Sequence, residues 1–175
     1  AATSSWKVDP AHSRFAFEIK HIFSTVYGYF PDFKADINFD PENPGESSMN
    51  FAIEVKSIQT HIEQRDNHLK SADFFEADTY PQITFAGSKI YKDGDGTLQV
   101  EGTLTIKDVS EQVTLPFKFL GITDNPMDPK TQVAGFELRM VLDRLKYHVG
   151  SGKFYEMGIV GREVMVVVSL EALKD

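Results

Sequence analysis

The sequence predicts an all-β domain, an extended barrel of about eight antiparallel strands with one or two short helices. Two observations support this prediction. Apolar and polar residues alternate in several separate segments, which is typical of half-buried strands. These segments follow one another through short turns, which favours an antiparallel meander. Because no segment shows clear protection of an outer edge, we expect the sheet to close on itself.

The predicted strands account for most of the chain. In the second of them, Gly28 and Pro31 favour a bend or an edge position. The last strand is apolar on both faces, so we expect it to be central or covered on both sides. Residues 92–97 (KDGDGT) predict a hairpin turn, since its glycines can adopt positive φ. In chain order, the predicted strands cover residues 14–19, 26–39, 49–55, 81–92, 98–106, 113–119, 136–142 and 164–170.

One segment has the character of a helix. Residues 60–75 begin with Thr60 as the predicted N-cap and carry Glu63 three positions later, which is the spacing of a capping box. A second irregular stretch, residues 143–158, predicts a short helix followed by a loop. The apolar residues of the first helix that we expect to face the interior are Ile62, Leu69 and Phe74.

Charge and residue types argue against several classes of function. The net charge of −8 at pH 7 argues against a nucleic-acid-binding surface and against a polybasic patch for anionic lipid. The chain has no cysteine, which excludes disulfides, thiolate nucleophiles and cysteine-ligated metals. Neither the five histidines nor the scattered carboxylates form a known metal-binding or catalytic motif. We therefore expect no enzymatic activity, no metal and no catalytic cofactor.

The first residues favour an exported protein. Residues 1–5 (AATSS) are small and polar, which fits the segment after a removed signal peptide or the end of a linker in a longer secreted chain. We therefore expect residues 1–5 to be a linker or processed N-terminal tail, and residues 6–175 to form a single domain. The expected location is periplasmic or secreted.

Several motifs occur in an order that is similar to the YceI-like polyisoprenoid-binding family. Residues 9–13 match the opening D-x-x-H-S of this family, and His21, Gly28 and Phe30 match the H…G-x-F that follows. The similarity runs over residues 6–172, so that residues 6–175 resemble one YceI-like β-barrel domain. The most specific match is R-D-x-x-L-x-x-x-x-F-F…Y-P-x-I-x-F, formed here by Arg65, Asp66, Leu69, Phe74, Phe75, Tyr80, Pro81, Ile83 and Phe85.

The resemblance implies a lipocalin-like barrel whose apolar tunnel holds a long amphiphile. Members of the family bind polyprenyl chains and quinone-type lipids, so the expected cargo is a long-chain prenyl lipid of the octaprenyl or ubiquinone type. The implied role is storage, transport or sensing of that lipid outside the cytoplasm. The implied partners are the polyisoprenoid or another long amphiphile, a membrane in transient contact, and a second copy of the chain in a homodimer. Nucleic acid is not among them.

The apolar faces of the predicted strands supply the expected lining of the tunnel. Arg65 is expected either to tie the helix to a carbonyl or carboxylate at a strand end, or to meet the head group of the ligand. Lys146 and His148 stand where the family often has Asp and Gly, and Asp108 replaces another frequent Gly. With Arg65, we expect Lys146 and His148 at the head-group end. The expected lining residues are Phe15, Phe17, Ile19, Phe51, Ile53, Val55, Leu98, Val100, Leu104, Val113, Leu115, Phe117, Phe119, Phe136, Leu138, Met140, Leu142, Val164 and Val166.

Two alternatives stay open at this point. The chain could be a non-catalytic sugar- or protein-binding module of a larger secreted protein, which the AATSS segment would fit. It could also be a barrel with a solid core that serves as a structural or docking domain. The single tryptophan, Trp6, offers little of the exposed aromatic surface that a sugar-binding module uses. A continuous apolar interior would distinguish lipid binding from both alternatives.

Overall fold

Ten strands form one antiparallel sheet within residues 5–175, the part of the chain that the computed structural model describes. The α-helices are α1 (Glu63–Lys70) and α2 (Lys153–Glu156), and neither has the length and apolarity that a bilayer crossing requires. Short 3₁₀ turns cover Pro10–His12, Pro44–Glu46, Val55–Ser57 and Arg144–Tyr147. The strands are β1 (Ser5–Val8), β2 (Arg14–His21), β3 (Ser24–Tyr29), β4 (Phe33–Asn38), β5 (Ser48–Glu54), β6 (Gln82–Lys92), β7 (Leu98–Ile106), β8 (Val109–Asp124), β9 (Gln132–Asp143) and β10 (Val160–Lys174).

The sheet closes into a barrel because β1 pairs with both β4 and β10. Between these two partners, β5 to β9 follow in sequence order as an antiparallel meander, so that eight strands form a ring. Closure pairs the outer edges that an open sheet would leave exposed. The prediction of a closed eight-stranded antiparallel barrel is therefore confirmed.

The two additional strands, β2 and β3, arise from breaks in the wall. β10 pairs with β1 near its C-terminal end and with β2 along residues 160–169, so β1 and β2 lie end to end beside the same strand. In the same way, β3 pairs with β2, whereas β4 pairs with β1. The break between β3 and β4 includes Pro31, which lacks the N–H that a ladder needs. The strand predicted over residues 26–39 is thus two strands that meet at the predicted bend.

The N-terminal segment differs in part from the prediction. Residues 1–4 of the predicted tail lie outside the described residues, but Ser5 is the first residue of β1. The sequence pattern does not predict β1 because it is four residues long and alternates only through Trp6 and Val8. This short strand nevertheless provides the pairing that closes the ring.

Aromatic side chains fill one end of the barrel. Phe39 is fully buried, and its ring centroid lies 6.1, 5.0 and 5.3 Å from those of Phe117, Phe119 and Phe136. Trp6 joins them by donating a hydrogen bond from Nε1 to the Phe39 carbonyl at 3.0 Å. We call these five residues the aromatic plug. Because the rings pack against one another across the barrel, this end is closed.

The opposite, open end carries α1 and α2. The predicted capping box of α1 is wrong, since the helix begins at Glu63 without a capping side chain and ends at Lys70. Thr60 instead donates from its backbone N–H and from Oγ1 to Oδ1 of Asp66, at 2.8 and 2.5 Å. Over residues 143–158, where the sequence predicts one short helix and a loop, a 3₁₀ turn precedes the single turn of α2.

Candidate functional site: an apolar cavity inside the barrel

A cavity of about 720 Å³ lies between the aromatic plug and the two α-helices. The inward faces of β2 and of β5 to β10 supply most of its wall, because alternation places every second side chain of a strand on the same face. Fifteen of the nineteen predicted lining residues lie in this wall, namely Phe15, Phe17, Ile19, Phe51, Ile53, Val100, Leu104, Leu115, Phe117, Phe136, Leu138, Met140, Leu142, Val164 and Val166.

Four predicted lining residues lie outside the cavity, each for a local reason. Leu98 and Phe119 lie toward the closed end. Phe119 packs within the aromatic plug, and Leu98 lies opposite Phe117 on the neighbouring strand. Val55 follows the end of β5, and its N–H donates to the Pro81 carbonyl at 3.0 Å, so the alternation of the strand no longer orients it. Val113 is partly buried and packs against the core without reaching the cavity.

The cavity is closed at one end. Its wall extends as far as Phe117 and Phe136, and the aromatic plug fills the barrel beyond them. The interior is therefore a blind cavity and not a tunnel of the kind that the resemblance implies. The other end of the cavity lies beneath the helices, where Gln64, Arg65 and His68 line it.

Close packing between β2 and β3 shapes one side of the wall. The ring of Phe17 lies over Gly28 on the neighbouring strand, and a Cβ at Gly28 would come within 2.3 Å of that ring. A larger residue at position 28 would therefore have to displace the Phe17 ring. Phe17 also packs against Phe30, with 5.6 Å between the ring centroids. The G-x-F motif therefore holds an aromatic ring of the wall in place.

Aromatic rings from α1, α2 and the intervening turns cover part of the open end. Phe74 and Phe154 stack with 5.8 Å between their ring centroids, and His68 packs edge-on against them at 5.1 and 6.0 Å. We call these three residues the aromatic lid. Lys107 holds the lid by donating from Nζ to the carbonyls of Phe74 and His148, at 2.8 and 2.7 Å. All three lid residues line the cavity, so the lid separates part of it from solvent.

Arg65 lines the cavity at its open end. Its Nε donates to Oγ1 of Thr60 at 2.8 Å, and its Nη2 donates to the Thr60 carbonyl. These bonds stabilise the loop that precedes α1, which is close to the structural role expected for this side chain.

Lys146 and His148 lie outside the cavity wall, whereas Arg65 lies in it. In a 3₁₀ turn, residues three apart share a face, so Arg144 and Tyr147 face the cavity and Lys146 does not. His148 Nδ1 lies 2.8 Å from Oδ1 of Asp108, and this hydrogen bond lowers the pKa of Asp108. The two departures from the family pattern at positions 108 and 148 thus pair with each other on the outside of the barrel.

Arg144 is a charged residue of the wall that the alternation pattern does not indicate. It is 6% exposed, and it donates from Nε to the Gly161 carbonyl at 2.7 Å and from Nη1 to the Val149 carbonyl at 2.8 Å. The neighbouring Asp143 pairs with Arg162 instead, at 2.6 Å. Burial lowers the pKa of Arg144. The guanidinium thus joins the turn after β9 to the start of β10 at the cavity wall.

Gly150 makes room for that guanidinium. Its φ is +91°, and a Cβ at this position would lie 2.4 Å from Nη1 of Arg144. Gly152 and Gly158 in the same loop also have positive φ. The concentration of glycine in residues 150–158 is the sequence signal that could have indicated a tightly packed turn at the cavity.

Comparison with known proteins places this chain in a family. A model of the YceI-like domain matches residues 6–172. Protein YceI of Shigella flexneri is 34% identical over 178 residues, which cover 100% of this chain and 90% of that protein. The crystal structure of Burkholderia cenocepacia BcnA has a TM-score of 0.82 at 30% identity and covers 94% of this chain and 98% of its own. A structure described as a polyisoprenoid binding domain from Saccharophagus degradans, implicated in plant cell wall breakdown, shares the fold at 13% identity, with a TM-score of 0.68 and 99% of each chain covered. The chain therefore belongs to the family of YceI-like domains.

Proposed function

We propose that this protein binds a long-chain lipid of the polyisoprenoid or quinone type in the barrel cavity, without performing chemistry on it. The observation that carries the proposal is the blind, apolar cavity of about 720 Å³. Ligand pockets usually measure about 300–1,000 Å³ and are lined mainly by apolar and aromatic side chains. The description of the Saccharophagus degradans domain as polyisoprenoid-binding supports this class of ligand.

A cavity of this size favours an occupant. At about 24 cal/mol per Å³, leaving the roughly 720 Å³ empty would cost up to about 17 kcal/mol. Typical domains are stable by only about 5–15 kcal/mol in total. Water is a poor occupant because the apolar wall offers it few hydrogen-bonding partners. An apolar chain restores the lost contacts and gains about 0.8 kcal/mol for each buried methylene.

The polar residues of the wall give the proposed ligand a direction. Lys20, His21, Gln64, Arg65 and His68 all lie at the open end. Nearer the aromatic plug the strand residues of the wall are apolar except for Glu137, which lies on β9 between the inward-facing Phe136 and Leu138. We therefore propose that the tail of the lipid points toward the plug and that its head group lies at the open end.

The proposed role is storage, transport or sensing of this lipid outside the cytoplasm. The exported location and the homodimer stay predictions from the sequence. Cell fractionation tests the first, and light scattering of the purified chain tests the second.

Organic extraction of the purified protein, followed by mass spectrometry, tests the proposal. Leu138 and Val141 on β9 provide a matched pair of variants, because Leu138 lines the cavity whereas Val141 is 53% exposed on the outer face. Leu138→Lys places an unpaired charge against the tail, so it should remove most of the bound lipid. Val141→Lys should retain it.

Native protein that repeatedly yields no prenyl or other long-chain lipid near one equivalent would contradict the proposal. Equal lipid content in the folded Lys variants of the two positions would contradict the assignment of the cavity as the binding site. If Leu138→Lys does not fold, Leu138→Trp occupies the same space without a charge and should lower the lipid content in the same way.

A further inference from the structure

Three segments of the chain meet at the open end of the cavity. They are the β2–β3 hairpin tip (residues 19–26), the loop before α1 with α1 itself (residues 60–70), and α2 with the loop after it (residues 153–160). Each contributes residues to the cavity wall. The N–H of Ile22 donates to the Ile159 carbonyl at 2.9 Å, which joins the first segment to the third.

These segments expose large apolar side chains beside the cavity mouth. Phe23 is 97% exposed at the hairpin tip, and Ile22, Ile62 and Met157 are also exposed. We call these four residues the mouth rim. Among residues 5–175, ten large apolar side chains are exposed, so the mouth rim holds four of them at a single end of the barrel. Exposed apolar residues that gather at one end of a molecule mark an interaction surface.

The backbone at the hairpin tip supports the same interpretation. Ile22 has a φ of +52°, a conformation that a β-branched residue rarely adopts. Asn or Gly would fill this position with less strain. Ile22 is strained, and with Phe23 it is exposed to solvent, so neither residue stabilises the hairpin by packing. A contact that the tip makes with another surface explains this arrangement better.

The charge of the mouth segments differs from that of the rest of the chain. Residues 19–26, 60–70 and 153–160 contain four Lys and Arg and three Asp and Glu, a net charge of +1 in a chain of net charge −8. Lys20 lies on the hairpin, and Lys153 lies on α2, where its Nζ is 4.9 Å from the centroid of the Phe154 ring. Lys20 and Lys153 thus lie on segments whose combined net charge is positive, although neighbouring segments at this end carry Asp73 and Asp108.

We infer that the open end of the barrel docks on a phospholipid membrane surface, with the mouth rim inserted among the head groups and Lys20 and Lys153 facing the phosphates. The inference rests on the proposed function in one respect, since a lipid cargo explains why the cavity should open toward a membrane. Apolar tips that enter the interface add affinity in proportion to the area that they bury, and nearby cations add attraction to anionic lipid. In this orientation, a lipid tail could move between bilayer and cavity without crossing water.

Co-sedimentation with vesicles that contain no isoprenoid tests docking separately from cargo. The vesicles are made of phosphatidylcholine alone or of an equal mixture with phosphatidylglycerol. Phe23→Glu should lower the partition coefficient by about tenfold or more, because a charge replaces an inserting aromatic ring. Ile62→Glu should lower it as well. Met127→Glu is the matched control, because Met127 is 91% exposed on the β8–β9 loop at the closed end and should leave vesicle binding unchanged.

Three outcomes would overturn the inference. The wild-type chain could fail to bind either vesicle, or Phe23→Glu and Met127→Glu could bind alike. Alternatively, Phe23→Glu could alter the oligomeric state in light scattering without altering vesicle binding, which would identify the mouth rim as an interface between proteins. Lipid extracted from the same preparations separates the two proposals. Docking without copurified lipid contradicts the proposed function alone, whereas copurified lipid without docking contradicts this inference alone.

Discussion

The buried guanidinium of Arg144 gives a quantitative prediction about the cavity wall. Arg144→Met retains most of the apolar stem but removes the donors to the carbonyls of Gly161 and Val149, which now accept at 2.7 and 2.8 Å. Each buried acceptor that loses its donor costs roughly 1–3 kcal/mol. Methionine also removes the desolvation penalty that the buried guanidinium carries, which offsets part of this cost. We therefore expect a net loss of about 2–4 kcal/mol in the free energy of unfolding.

Urea denaturation monitored by circular dichroism measures this loss. Arg139→Met on the same strand, β9, is the matched control, because Arg139 is exposed and its replacement should change the free energy of unfolding by less than about 0.5 kcal/mol. Arg144→Lys keeps the charge but cannot reach both carbonyls in the planar geometry of a guanidinium, so it should fall between the two Met variants.

Similar unfolding free energies for Arg144→Met and Arg139→Met would refute the reasoning. They would mean that the carbonyls find other donors and that Arg144 contributes no more than a surface residue. A lower m-value in Arg144→Met would point to a different change, a native or denatured state of altered compactness.

The remaining predictions concern the closed end and the D-x-x-H-S motif. Phe39→Ala should lower the free energy of unfolding by about 3–5 kcal/mol, as for other fully buried aromatic residues, and a loss below about 1 kcal/mol would contradict the aromatic plug. The hydrogen bond with Asp9, 2.7 Å from His12 Nδ1, raises the pKa of His12 and lowers that of Asp9, so Asp9→Asn should return the pKa of His12 toward its usual value in an NMR titration. Because the folded-state pKa of His12 is raised, the pair stabilises the fold below the unfolded pKa of histidine, and this contribution disappears as the pH rises through the folded-state value. An unchanged pKa in Asp9→Asn would contradict the pairing.

Alternation predicts the wall wherever a strand is long and regular. Phe15 and Leu138 lie in the cavity because period two holds across the segments that contain them. The same pattern fails at Val55, where β5 has already ended, and at Phe119, where the ring of Phe39 fills the interior and leaves no cavity. Tertiary packing decides both positions, and no local pattern records it.

The sequence predicts the positions of the charged residues at the cavity less well than those of the apolar wall. Lys146 and His148 depart from a family motif. The turn nevertheless directs Lys146 away from the cavity, and His148 forms a hydrogen bond with Asp108. Arg144 directly precedes this group and faces inward. A buried cation whose hydrogen-bond acceptors are main-chain carbonyls cannot be recognised in the sequence, because every residue type has such a carbonyl.

The closed end of the barrel has a consequence for how long a cargo stays. If a lipid tail occupies the space that ends at Phe117 and Phe136, it can leave only by withdrawing along the path by which it entered. Each methylene that passes into water forfeits about 0.8 kcal/mol, which slows escape roughly fourfold per carbon. Residence time in water would then rise steeply with tail length, and short amphiphiles would be lost on dilution while long ones persist. The protein would sort its ligands by rate of release as much as by affinity.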